Sequence, residues 1–270
     1  MKGPGVAYLM FHELQVQGRS LCNSEPGYAH YAVGKDSFRE NLRWLAQEKL
    51  RAMSVTQALQ DAGSPRRGVA ITFDDGCETD WVVAAPALME FGFNATFFVI
   101  AGFLGRSGYL TRTQLRQLSD SGFEIGSHSM SHAYLDQLAP AQLEFELIES
   151  KRRLEDVTGT EVAHFSCPGG VWSRAVVQRA HQAGYRSVAT SRVGVNYRHS
   201  DPFKLARIAI HRDTTSSEFA RICRGEDLLR RRGVQLLYSI AKRTLGMSRY
   251  SRVRALVFRR SGVTRSRELQ

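Results

Sequence analysis

No stretch of this 270-residue chain approaches the roughly 20 consecutive apolar residues that cross a bilayer. The opening segment, MKGPGVAYLMFHELQ, has one lysine and a short apolar run ending at His12. It lacks the longer apolar region and small-residue cleavage site of a secretory leader. Cysteine is sparse, with four residues and no CxxC pair. That argues against a disulfide framework and makes a reducing cytoplasm the expected compartment. Internal repeats and low-complexity tracts are absent too. The apolar share of 43% and charged share of 23% are those of a globular protein. The length suits one large domain or two small ones.

Positive charge is present but unevenly placed. Of 37 basic and 26 acidic residues, 14 and 3 fall in 221–270, which leaves 23 of each in 1–220. The expected organisation is a neutral body over 1–220 and a basic, amphipathic helical tail over 221–270. In the tail, Tyr250, Val253, Leu256 and Val257 recur at helical spacing among Arg249, Arg252, Arg254, Arg259 and Arg260. A helix of this kind either packs on the barrel with its arginines in water or docks in the plane of an anionic lipid surface, and the second reading implies peripheral contact at the inner face of the membrane. Nucleic acid is not expected as a partner: the segment is too apolar and no base-reading motif accompanies it.

Strand and helix signals alternate through the body. Strands are expected at 5–11, 69–73, 94–100, 123–129, 163–168, 185–190 and 203–210. Helices are expected at 36–50 (Asp36 or Ser37 as N-cap), 80–91, 111–122, 139–159 and 173–183, with a loop at 64–68. Pro140 opens the fourth helix and Gly159 closes it. The alternation predicts an α/β fold of βαβ units with a parallel sheet, and about seven strands favour a barrel over a flat sheet. In such folds the working residues stand at the C-terminal ends of strands. That rule selects His12 after the first strand, Asp74 and Asp75 after AITF, His128 and His132 after FEIGS, Ser166 to Gly170 after AHF, and His211 after RIAI.

Two of these groups carry chemistry. Adjacent aspartates at a strand end repel each other, and burial raises the cost. In SHSMSH, His128 and His132 are four apart, so on a helical turn both imidazoles would reach one ion. Two histidines and a carboxylate form a catalytic metal set with open positions. One aspartate would bind the ion, which offsets the repulsion. The other would stay free to take a proton from water.

TFDDG (72–76) together with SHSMSH (127–132) resembles the polysaccharide deacetylases, the NodB-homology or carbohydrate esterase 4 family. The resemblance covers roughly residues 5–215. It implies a distorted (β/α) barrel of about seven strands and hydrolysis of N-acetyl groups on amino sugars. It implies Asp74 as catalytic base and Asp75, His128 and His132 as ligands of a divalent metal. Zinc fits that set best, and cobalt, nickel or manganese are also accepted. An N-acetylated glycan is the implied partner. The family's Arg-Pro-Pro-Tyr-Gly-like loop is altered here to HFSCPGG (164–170): Ser166 or its neighbour takes the arginine's position and Gly169 replaces the aromatic. The amide near Gly169 still suits an oxyanion donor, since that role needs no side chain. Arg207 is the candidate to supply the missing guanidinium. His12, in a segment like the Met-Tyr-His opening of a related branch, is the preferred general acid, and His211 in IAIHRD is the alternative. Trp172 is the aromatic placed for sugar contact. Cys77 and Cys167, beside these motifs, read as small buried residues rather than ligands, and His30, His164, His181 and His199 as structural or exposed. Two other functions stay open: a barrel that binds glycan or metal without catalysis, and hydrolysis of a small non-sugar amide.

Overall fold

The computed structural model describes residues 5–25, 27–61, 68–228 and 230–233. The expected loop at 64–68, except Gly68, and the expected tail helices beyond residue 233 lie outside that set.

The elements run β1 Val6–Phe11, β2 Leu14–Gln15, β3 Val33–Gly34, α1 Lys35–Gln47, β4 Arg51–Met53, α2 Val55–Gln60, β5 Gly68–Phe73, α3 Ala85–Glu90, β6 Thr96–Val99, α4 Arg112–Asp120, β7 Glu124–Ser127, α5 Pro140–Thr158, β8 His164–Ser166, α6 Arg174–Gln182, β9 Ser187–Ala189, β10 Val195–Asn196, β11 Ile208–Ala209 and α7 Ser216–Cys223. The main sheet has the order β10-β1-β5-β6-β7-β8-β9; β11 also pairs with β1 and β4 with β5. Pairing is parallel except between β10 and β1. The curled sheet, with helices outside it, is a distorted (β/α) barrel.

Local sequence explains most of these elements. β1 is buried throughout and β5 almost so, as expected of parallel strands covered on both faces. Thr111 caps α4 by accepting from Gln114 N–H at 3.1 Å, and Gln114 returns the bond to Thr111 N–H at 2.8 Å. Pro140 lies in the first turn of α5, and Gly159 ends it at φ 69°. Phe73 stacks between Phe11 at 5.4 Å and Phe97 at 5.0 Å in the core.

Several expectations are corrected. Helix α1 begins at Lys35 with Gly34 as N-cap, not Asp36 or Ser37. Gly34 belongs to β3, so the chain passes directly from strand to helix, and Asp36 sits in the first turn, where the helix dipole favours it. The expected helix at 80–91 starts as a wide π turn, Asp80–Ala84, before α3. Pro86 lacks the N–H that a regular helix would use there. The expected strand at 203–210 is broken: Pro202–Lys204 form a 3-10 turn, Leu205 bridges to Ala189 of β9, and only Ile208–Ala209 pair with β1. This split segment links the two sides of the curl. Helix α7 spans position 220 and buries Phe219 and Ile222 in the common core. No helix among the described residues is long and apolar enough to cross a membrane.

Candidate metal and catalytic centre

Strand ends bring the selected residues to one rim. Asp74 and Asp75 follow β5, and Asp74 N–H donates to the Phe11 carbonyl at the end of β1. Asp75 takes φ 83° and Gly76 φ 74°. A side chain on Gly76 would begin 2.8 Å from a Val99 methyl, so glycine is required for the turn to lie against β6.

His128 and His132 do not share a helical turn. They lie on a loop in which Ser129 (φ 67°) and His132 (φ 62°) adopt left-handed backbone, which no right-handed helix admits. The loop's polar groups bond sideways. Ala101 N–H and Gly102 N–H donate to the Ser129 and Met130 carbonyls at 3.0 and 2.9 Å. Glu146, buried on α5, accepts from Met130 N–H at 2.8 Å and Ser131 N–H at 2.9 Å. Three left-handed non-glycine residues at one rim store strain that the surrounding bonds must hold.

The result is a compact donor set. Asp75 Oδ1 stands 3.5 Å from His128 Nε2 and 3.6 Å from His132 Nε2. Two N or O ligands on one tetrahedral ion stand about 3.4 Å apart, so this spacing fits a shared cation. His128 Nδ1 is 2.9 Å from the Ser166 carbonyl. Donating there fixes the tautomer and turns Nε2 toward Asp75, the usual outer support of a metal-binding imidazole. Burial lowers the His128 pKa to about 3 and lowers that of His132, so both imidazoles are neutral, as ligands must be. Burial and the neighbouring Asp74 push Asp75 up to about 6.

Asp74 has a different partner. Arg207 grips it with two bonds, Nη1 to Oδ1 at 2.7 Å and Nη2 to Oδ2 at 2.8 Å. The remaining N–H groups reach Thr72 Oγ1 at 3.2 Å, Ser166 Oγ at 2.7 Å and the Thr190 carbonyl at 3.0 Å, so all five donors are used. Burial alone would raise the Asp74 pKa, but the Arg207 guanidinium holds it well below the usual carboxylate range. Arg207, expected within a strand over 203–210, stands in the break just before β11. The broken last strand admits its side chain to the interior, where it is buried. Ser166 also donates to Asp74 Oδ2 at 3.2 Å.

His12 is near this group. Burial lowers its pKa, while Asp75 and Asp74 pull it back up; its Nδ1 is buried with no hydrogen-bond partner, and its ring lies 4.7 Å from that of Tyr31. His211 stacks on His30 at 4.2 Å and meets Tyr31 edge-on at 5.2 Å. Gly169 (φ 61°) lies under Tyr134, whose ring carbon would stand 2.6 Å from a Cβ built there. An aromatic at position 169 would collide with Tyr134, so the two cannot coexist. Trp172 packs partly buried against the core, with the Lys204 ammonium 5.9 Å from its ring centre. His164 is buried and bonded to Thr56 Oγ1 and Ser187 Oγ, both at 2.8 Å, a structural role. Cys77 and Cys167 are buried.

Sequence reasoning missed Glu146, Tyr28 and Tyr134. Glu146 had a signal: it falls on the buried stripe of α5 with Leu143, Leu147, Ser150 and Leu154, where a carboxylate needs partners. Tyr28, which lies close enough to Asp75 to lower its pKa, had none.

The family model for polysaccharide deacetylase matches residues 61–188. The protein YxkH of Bacillus subtilis is 27% identical over 78% of this chain and 73% of its own length. A peptidoglycan-N-acetylglucosamine deacetylase of Bacillus cereus is 34% identical over 46% of this chain and 56% of its own length, so this chain spans little more than half of that relative. In fold, the chain is similar to a Streptococcus pyogenes deacetylase solved with acetate: TM-score 0.72, 23% identity, 82% of this chain and 99% of that one. Residues 61–188, which carry β5 to β8 and the Asp75, His128 and His132 donors, belong to the polysaccharide deacetylase family.

Proposed function

We propose that the protein is a metal-dependent hydrolase that removes N-acetyl groups from amino sugars of a polysaccharide or glycan precursor, releasing acetate. The observation that carries this reading is the division of partners between neighbouring carboxylates: Arg207 on Asp74, imidazoles at ion-sharing distance on Asp75. Relatives named as deacetylases of peptidoglycan, chitooligosaccharide and poly-β-1,6-N-acetyl-D-glucosamine support the substrate class. A divalent ion held by Asp75, His128 and His132, zinc by preference, would supply Lewis-acid polarisation of the amide and lower the pKa of a water toward about 7.

The chain's own residues do the rest. Arg207 and Ser166 fix the Asp74 carboxylate in one orientation; Oδ2 accepts from both, while Oδ1 accepts from Arg207 alone and retains a lone pair for a water proton. Its depressed pKa makes Asp74 a temporary holder, so its proton passes on to restore the His12 imidazolium once that residue has protonated the leaving amine. The Gly169 amide donates to the developing oxyanion. His12 protonates the leaving amine, a step worth on the order of 10²–10⁴-fold. Burial makes its imidazolium a ready donor, and the carboxylates beside it sustain the charge.

The test is acetate release from N-acetylglucosamine oligomers and from a simple alkyl acetamide, after chelation and after return of zinc. Release from the oligomers alone, and only with metal, is expected. No release under any metal would leave a binding barrel; equal release from the alkyl amide would remove the sugar from the reading. His12→Ala should lower kcat by about 10²–10⁴-fold with metal content unchanged, and His211→Ala far less. Inactivity of the His211 variant instead would move the acid role there.

A further inference from the structure

Apart from the Asp75 cluster, Glu13, Cys22 and Cys77 bring their ligand atoms within 4.8 Å of one another. Cys22 lies between β2 and β3; Cys77 is the residue after Gly76. Their sulfurs are 2.9 Å apart, and the Tyr28 hydroxyl is 3.2 and 3.3 Å from them. Two sulfurs on one tetrahedral ion stand about 3.8 Å apart. A bonded pair stands about 2.05 Å apart. The contact lies midway, so the packing around it decides between spreading and closing.

That packing holds the cysteines together. A Cβ on Gly108 would stand 2.8 Å from Cys22 Cβ and 2.9 Å from its Cα, so Cys22 already rests against that glycine's backbone. Cys77 is bridged to the next residue, Tyr109, and Glu78 N–H donates to the Gly108 carbonyl at 2.8 Å. One segment therefore pins both cysteine backbones and leaves little slack for the sulfurs to spread. Closing asks the sulfurs to approach by only about 0.9 Å. Glu13 is engaged as well: its Oε2 accepts from Cys22 N–H at 2.9 Å and braces the loop rather than completing a ligand set.

We propose that Cys22 and Cys77 form a disulfide that staples the loop between β2 and β3 to the turn carrying Asp74 and Asp75. A low-molecular-weight disulfide such as oxidised glutathione is the oxidant. One cysteine thiolate attacks it and releases one glutathione thiol. The other cysteine thiolate attacks the mixed disulfide, forms the Cys22–Cys77 bond and releases the second. The two cysteines lose two protons and two electrons, and the electrons reduce oxidised glutathione to two thiols. The bridge joins positions 55 apart in sequence, which is why no spacing motif announces it.

The test holds the full chain in oxidised or reduced glutathione, traps free thiols by alkylation and maps the peptides by mass spectrometry. The oxidised sample should give a linked Cys22–Cys77 peptide pair, with Cys167 and Cys223 alkylated. Its Tm should exceed that of the reduced sample by roughly 10 °C, the scale expected for a closed loop of this length. Cys22→Ala should abolish both the link and the Tm difference. Full alkylation of both cysteines in the oxidised sample overturns the proposal. So does a second bound metal ion per chain that Cys22→Ala removes. Thiol state is read without any acetate assay, so the result stands apart from the proposed reaction.

Discussion

Asp74 and Asp75 share a peptide bond and are both buried, yet their carboxyls are driven in opposite directions. Around Asp74 the protein supplies its own cation: the guanidinium of Arg207, with every N–H engaged, holds the carboxylate ionised. Around Asp75 it supplies imidazoles that burial keeps neutral, and the carboxyl rises to about 6. One half of the rim is electrostatically complete within the chain. The other is built to the spacing of a shared ion. Adjacent identical residues thus acquire opposite pKa shifts from their surroundings, as pairs of titratable groups do in acid–base sites.

The sharpest way to break this comparison is to neutralise each carboxylate in turn. Asp75→Ala should abolish metal binding and turnover together. Asp74→Asn should keep metal and lower kcat by about 10²–10⁴-fold, the scale of general base catalysis. Metal analysis beside acetate release reads both. Equal metal loss in the two variants would erase the distinction. Removal of the internal cation comes next. Arg207→Ala leaves Asp74 charged and unpaired in the interior, which costs about 3–5 kcal/mol in denaturant unfolding. Arg207→Lys should recover only part of this, because an ammonium has three donors for five acceptors and cannot grip both carboxylate oxygens in parallel.

The two halves also differ in how they can be read from the chain. Asp75, His128 and His132 are visible because their signals are local: a strand end and a four-residue spacing. The helical turn inferred from that spacing is wrong, because the bonds that shape the loop come from Ala101, Gly102 and Glu146, distant in sequence. Arg207 is visible only as a candidate, since its contact with Asp74 spans 133 residues and depends on the broken last strand. The long elements with clear periodicity or caps, such as α4 and α5, appear near their expected bounds. The short ones, β4 and α2, carry too little pattern to stand out.

Glu146 tests how firmly the metal-side loop must be held. Its carboxylate anchors two consecutive N–H groups of the loop between His128 and His132. Glu146→Gln keeps the shape, weakens the charge-assisted bonds and turns one oxygen into a donor. Metal affinity should fall by about 10–100-fold, as for other outer supports of metal ligands, with Asp74 and its ion pair unaffected. Titration with zinc against a competing chelator measures it. An unchanged affinity would mean that the left-handed residues hold the loop unaided.

The mildest prediction follows from pH alone. A raised carboxyl pKa means that the metal-free fold favours protonated Asp75. That preference contributes stability below the ordinary carboxylate range and is lost as pH rises from about 4 through about 6. A cation needs the ionised form, so its binding must displace that proton at any pH below about 6. Affinity should therefore be nearly flat above pH 6 and fall by about tenfold per unit below it, with the His128 imidazole not competing until near pH 3. Asp74 has the opposite sign: its depressed pKa contributes stability above the ordinary carboxylate range, lost only as pH falls through a lower value still. Zinc titration from pH 4.5 to 7.5 on the wild type separates the two, since of the two aspartates only Asp75 titrates in that window. A bend near pH 6 that disappears in Asp75→Asn, along with most of the affinity, assigns it to Asp75. A bend that survives in that variant would place the titrating group elsewhere and remove the electrostatic contrast between the two aspartates.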